Sequence, residues 1–181
     1  EKLVNRDITV VGIEGNHAIF AKQQPNLFRE LMDSLPWFYL QDETLVLDTP
    51  KYGNSAIKIF GTPGSLPFGD DWAFNYTESK MTEIFSRVWE DTDIIISHGP
   101  PYGIGDVPGY SHRAVHTGSL ALKYTIDRIH PKLVVCGHIH GSYGSYEYDG
   151  YNIDKPPVKI VNASYMDEEY RPEQQPILIE I

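Results

Sequence analysis

The stretch Lys132-Leu133-Val134-Val135-Cys136-Gly137-His138-Ile139-His140-Gly141 decides the fold. A short apolar run reads as a buried strand, and it stops at a glycine followed by two histidines one residue apart. The arrangement recurs. Ile8-Thr9-Val10-Val11-Gly12-Ile13 leads into Gly15-Asn16-His17, and Asp93-Ile94-Ile95-Ile96 leads into Ser97-His98-Gly99. In open α/β sheets the carboxyl ends of strands converge on one crevice, where ligands and metals collect. Asn16, His17, His98, His138 and His140 are therefore expected to meet in space while lying far apart in sequence.

Each segment alone has a plainer reading. An asparagine after a glycine fits a turn that tolerates positive φ. His98 fits a histidine hydrogen-bonded to loop backbone, and a bare His-x-His need not bind anything. Three such segments, each at a strand end, point together to a metal site. In extended backbone residues i and i+2 face the same way, so His138 and His140 are expected to enter one site side by side. Gly137 and Gly141 are read as sites of close backbone approach.

Outward from these strands, the chain alternates elements. Asn26–Ser34 reads as a helix with Leu27, Leu31 and Leu35 at helical spacing, stopped by Pro36. Short strands are expected near Phe38–Leu40, Thr44–Leu47 and Ile57–Phe60. Ser79–Trp89 reads as an amphipathic helix with Met81, Ile84, Phe85 and Val88 as its apolar stripe. Ser119 is placed to cap a helix carrying Leu120, Leu122, Ile126 and Ile129, ended by His130-Pro131. His130 is expected to interact with the C-terminus of that helix. The last third reads as strands at Val134–Cys136, Tyr143–Tyr148, Val158–Val161 and Ile177–Ile181. The whole predicts one α/β domain over residues 1–181, with a mixed sheet or two packed sheets.

Composition narrows the function. The 181 residues suit one domain, and the formal charge of −10 argues against a general nucleic-acid clamp. Acidity is no obstacle to phosphate chemistry where bound dications supply the positive charge. No run approaches the length of a membrane span, no charged-then-apolar leader opens the chain, and the one cysteine, Cys136, lies in an apolar strand. These features predict a cytoplasmic protein with a reduced, buried thiol. Asn75-Tyr76-Thr77 and Asn162-Ala163-Ser164 match glycosylation acceptors, a pattern that arises often by chance.

The ordered blocks Gly15-Asn16-His17, His98 and Gly137-His138-Ile139-His140 resemble those of the calcineurin-like metallophosphoesterase superfamily. Ile59-Phe60-Gly61-Thr62-Pro63, Trp72-Ala73-Phe74-Asn75, Ser97-His98-Gly99-Pro100-Pro101 and Val161-Asn162-Ala163-Ser164 look like a narrower, single-domain group within it. The resemblance implies two mixed β-sheets sandwiched between helices, an αββα fold. It implies two divalent metal ions, with Asn16, His98 and His138 on one and His140 on the other. His17 is then the general acid that assists the leaving group, while hydroxide generated at the metals attacks phosphorus. Imidazole, amide and carboxylate ligands suit Mn, Fe or Zn better than Ca.

The family's Asp-x-His and Gly-Asp blocks have no counterpart before Gly15, since neither Asp7 nor Glu14 fits. The resemblance thus implies a family domain lacking its N-terminal part, roughly the C-terminal two-thirds. The expected activity is phosphodiester hydrolysis of nucleotides or similar small esters, with no membrane and no general nucleic-acid partner. The alternatives are a protein phosphatase, a nuclease, or a non-catalytic binding scaffold of the same fold. His112 and His116 have i,i+4 spacing, but they lie in a Gly-flanked loop without a following glutamate, so exposed loop residues are expected there. His116, on the loop leaving His98, is the better candidate for a substrate contact. The loop bearing Phe68, Trp72 and Phe74 is expected to pack over a sheet edge.

Overall fold

A computed structural model describes residues 8–49, 55–69, 71–109, 115–151 and 154–181. In chain order the elements are β1 (Val11–Gly12), α1 (Ile19–Gln23), α2 (Pro25–Asp33), β2 (Phe38–Tyr39), β3 (Glu43–Thr49), β4 (Ser55–Thr62), α3 (Glu78–Phe85), β5 (Ile94–Ser97), α4 (Leu120–Ile129), β6 (Leu133–Cys136), β7 (Gly144–Tyr148) and β8 (Val158–Asn162). Six strands form a mixed sheet in the order β3-β4-β5-β6-β8-β7, and β1 and β2 form a separate parallel pair. The inner four run parallel, while β3 and β7 are antiparallel edges. All four parallel strands therefore end on the same side of the sheet, at Thr62, Ser97, Cys136 and Asn162.

Register explains the core. Phe60, Ile95, Val134 and Ile160 lie opposite one another across β4, β5, β6 and β8. All are buried against Met81, Ile84, Phe85 and Val88 on one helical segment and Leu122, Ile126 and Ile129 on the other. Both expected stripes therefore face the sheet, except that Leu120, at the first position of α4, is exposed. Each helix starts on a side-chain cap: Thr77 accepts from the Lys80 amide, and Ser119 from the Leu122 amide. Cys136 is free and buried, and burial pushes its thiol up to about 12, so it stays protonated and inert.

Four expectations change. The first strand shortens to two residues at Val11–Gly12. In α2 the buried side chains are Phe28 and Met32, which pack with Tyr39, whereas Leu27, Leu31 and Leu35 are exposed. Both sets are spaced i,i+4, and the bulkier pair wins because Phe28 meets Phe20 and Tyr39 edge-on. Ile177–Ile181 is not a strand. That segment is tethered by the Tyr143 hydroxyl donating to the Gln175 carbonyl and the Lys159 ammonium to the Glu180 carbonyl, with no ladder partner among the described residues. His130 closes α4 in the left-handed region, but its ring pairs with the Pro156 carbonyl rather than the helix end.

Candidate active site

The loops that follow the parallel strands carry Ser65, His98, His138 and Ser164, and these line one cavity of about 600 Å3. Asn16 enters from the loop after β1, its carbonyl held by the Ala73 amide at 3.1 Å. The two neighbouring strand ends are locked together, because the Gly137 amide donates to the His98 carbonyl at 3.0 Å. Topology thus gathers residues separated by more than a hundred positions.

Asn16 sits at the centre and is 2% exposed. Its side-chain oxygen is 2.7 Å from His98 Nε2 and 3.2 Å from His138 Nδ1. The two imidazole rings stand 4.7 Å apart. Burial, reinforced by the neighbouring imidazoles, pulls His98 down to about 3 and His138 to about 4. Both rings are therefore neutral at pH 7 and keep a lone pair. Donor atoms around one small cation lie about 3.0–3.4 Å apart when bonds are near 2.1 Å. The Asn16, His98 and His138 atoms already approach that spacing, and the Asn16 amide nitrogen is buried without a hydrogen-bond partner. An amide oxygen and two neutral imidazoles fit one borderline transition-metal ion.

Two glycines make this approach possible. A Cβ on Gly15 would lie 2.4 Å from the His98 ring, so no other residue there leaves the ring in place. A Cβ on Gly141 would lie 2.4 Å from the Gly109 amide nitrogen. Gly137 has no such neighbour: the nearest atom to its Cβ position is Ser164 Oγ, at an ordinary 3.7 Å.

His138 and His140 line the same cavity, but not as side-by-side strand residues. His138 adopts φ 67°, and His140 opens a 3-10 turn over His140–Ser142, so the expected alternation is broken. A side chain in that backbone region is strained, which is typical of functional sites. His140 turns away from Asn16, and its Nδ1 donates to the Asp167 carbonyl at 2.9 Å while its ring meets Tyr170 edge-on. That bond leaves Nε2 as the lone-pair nitrogen. Among the described residues, no three His, Cys, Asp or Glu side chains group tightly enough to hold an ion. The convergence is of two imidazoles and one amide.

His17 is exposed, with its ring 4.7 Å from that of Trp72. Phe68 lies parallel to Trp72 at 6.1 Å and edge-on to His138 at 4.7 Å. Phe68 is thus part of the cavity wall with Trp72 stacked against it, while Phe74 packs on the Phe28, Met32 and Tyr39 cluster. Among the described lining residues Glu168 carries the formal charge, and no lysine or arginine does. An anion bound there needs its countercharge from elsewhere.

His116 donates through Nδ1 to the buried Asp106 carboxylate at 2.7 Å, and Asp106 also accepts the Gly103 and Gly118 amides. His112 lies outside the described residues. Asn162 is the residue that sequence reading undervalued. Fully buried, it donates to the Gly105 and Ile139 carbonyls at 2.9 Å and accepts from the Ser164 amide and hydroxyl. It ties the His138 loop to the Asp106 loop, and its burial removes it as a glycosylation acceptor. Among the described residues, no helix is long and apolar enough to cross a membrane.

Comparison with known proteins identifies the family. The pattern defining the family described as calcineurin-like phosphoesterase matches residues 1–142. Metallophosphoesterase domain-containing protein 1 of Homo sapiens is 34% identical over 146 residues, 79% of this chain and 39% of the human protein. UPF0046 protein T07D4.2 of Caenorhabditis elegans is 31% identical over 145 residues, again 79% of this chain and 32% of the relative. The chain thus spans well under half the length of these relatives. A solved crystal structure at 15% identity superposes with a TM-score of 0.57, covering 90% of this chain and 60% of that one, which supports the shared fold.

Proposed function

Because the chain belongs to the calcineurin-like phosphoesterase family, we propose that it hydrolyses phosphodiesters of nucleotides or similar small esters. The family implies metal-dependent phosphoester hydrolysis; the diester preference and the residue roles are our reading. Asn16, His98 and His138 would hold one cation, and His140, through Nε2, would serve a second. Two divalent ions, Mn, Fe or Zn, supply when bound the positive charge and Lewis acidity that attack by water on phosphorus requires.

The chain's own groups do the rest. Neutral His98 and His138 present lone pairs at pH 7 and need lose no proton to bind. His17 is exposed and held against Trp72, free to carry a proton to the leaving oxygen. Phe68, backed by Trp72, excludes water from one side of the cavity. Asp106 orients the His116 ring, but His116 is not among the described residues lining the cavity, so the substrate contact we read there would be to a group reaching beyond it. The carrying observation is the Asn16 oxygen lying between two neutral imidazoles. The test is metal analysis with Mn-dependent hydrolysis of p-nitrophenyl phosphate and bis-p-nitrophenyl phosphate by the complete protein and by this 181-residue chain. Faster turnover of the diester by the complete, metal-loaded protein supports the reading; no metal uptake and no turnover by that protein sinks it.

A further inference from the structure

His140 depends on a loop that lies beyond residue 142, outside the stretch the family pattern matches. The Asp167 carbonyl accepts both His140 Nδ1 at 2.9 Å and the Tyr170 amide at 3.1 Å. Asp167 is held in turn from every side. Its Oδ1 accepts the Glu169 and Arg171 amides at 2.9 Å, Oδ2 takes Arg171 Nε at 2.7 Å, and its own amide donates to the Arg171 carbonyl at 2.9 Å. Tyr170 occupies the left-handed region at φ 59°, and its ring meets His140 at 5.2 Å. A non-glycine residue there is strained and persists only where the surroundings fix it. Asp167, Glu169, Tyr170 and Arg171 thus form a closed set of bonds whose outward products are one carbonyl and one aromatic edge, both aimed at His140.

We propose that the Asp167–Arg171 loop is a clasp that fixes the tautomer and orientation of His140, making Asp167 and Arg171 positioning residues for the cation His140 serves. The inference rests on His140 being a ligand, as in the proposed function. A ligating histidine commonly donates its second ring nitrogen to a carbonyl or carboxylate, which keeps the other nitrogen bare and aimed. Here the carbonyl comes from a loop outside the stretch that the family pattern matches. The same loop carries Glu168 and Tyr170 into the cavity wall, so the clasp and the rim are one piece.

The test uses the 181-residue chain, 15N-labelled and metal-free. Long-range imidazole correlation spectra should show His140 protonated on Nδ1 in the wild type. Asp167→Ala should mix in the Nε2-protonated form, and Arg171→Ala should do so less. Asp167→Asn should restore the wild-type pattern, since its amide oxygen still accepts the two backbone amides. Zinc titration followed at the His140 resonance should need about tenfold more zinc in Asp167→Ala, the low end for losing such support. Unchanged His98 and His138 resonances confirm that the variant is folded. An Asp167→Ala chain with an unchanged His140 tautomer, or an unchanged zinc midpoint, overturns the clasp. A wild-type His140 signal that zinc never moves overturns instead the ligand assignment on which the clasp rests.

Discussion

The two halves of the site are built by opposite means. Asn16, His98 and His138 are carried by strand ends of the central sheets, are largely buried, and touch one another. His140 sits on a 3-10 turn and is steadied by a surface loop near the end of the chain. The first half inherits its geometry from the core, so disturbing it means disturbing the sheet. The second is a local assembly that can be loosened while the fold stays intact. The difference teaches that the two parts of one site need not be equally rigid, and it predicts unequal consequences of mutation.

The largest effect belongs to the buried half. His98→Ala or His138→Ala removes one of its three donors, and metal content and hydrolysis should be lost together, by about a hundredfold or more in affinity. Gly15→Ala should approach that loss without touching a ligand, because the new methyl would collide with the His98 ring. Metal affinity of that variant, measured by calorimetry, should fall about tenfold or more while Gly137→Ala stays near wild type.

His17→Ala sharpens the contrast in another way. Metal content should be unchanged, while kcat falls about 10²-fold or more for esters with poor leaving groups and much less for nitrophenyl esters. Equal losses for both ester classes would remove His17 as the proton donor.

Acid should act on the buried half even without metal. His98 and His138 titrate near 3 and 4 when folded, against an ordinary value of 6.5. The unfolded chain therefore binds more protons than the folded one between about pH 6.5 and 4, and stability falls as pH is lowered through that window. Tm of the metal-free chain should drop by about 2–4 °C for each kcal/mol so lost. In the His98→Ala, His138→Ala double variant the slope should flatten.

The smallest contrast lies away from the chemistry, on α2. Met32→Ala should cost about 2–5 kcal/mol by emptying a buried site. Leu31→Ala, one position earlier but exposed, should cost less than about 0.5 kcal/mol in a urea melt.

How far the residues announced all this follows the same division. The strand-end histidines were legible because strand periodicity and a stop at glycine are local signals, and the rule that strand ends converge did the rest. The α3 and α4 stripes were legible because each helix presents one apolar set. The α2 face was not: Leu27, Leu31, Leu35 and Phe28, Met32 satisfy the same spacing, and only the aromatic partners Phe20 and Tyr39 decide between them. The geometry of His138 and His140 was missed because a non-glycine left-handed residue has no spacing signal. The bonding role of Asn162 has no local signal, because its four bonds go to residues scattered from Gly105 to Ser164. The clasp left one trace, an aspartate and an arginine four apart around Tyr170, which reads as surface charge until His140 is seen beneath it.

The inequality of the two halves is tested most directly by titrating the metal-free 181-residue chain with Mn2+ in a calorimeter, beside Asn16→Ala and His140→Ala. The wild type should show one well-held ion, since three donors converge at Asn16 and one stands at His140. That ion should be lost in Asn16→Ala and kept within about threefold in His140→Ala. Equal losses in the two variants, or a tight ion that survives Asn16→Ala, would contradict the account.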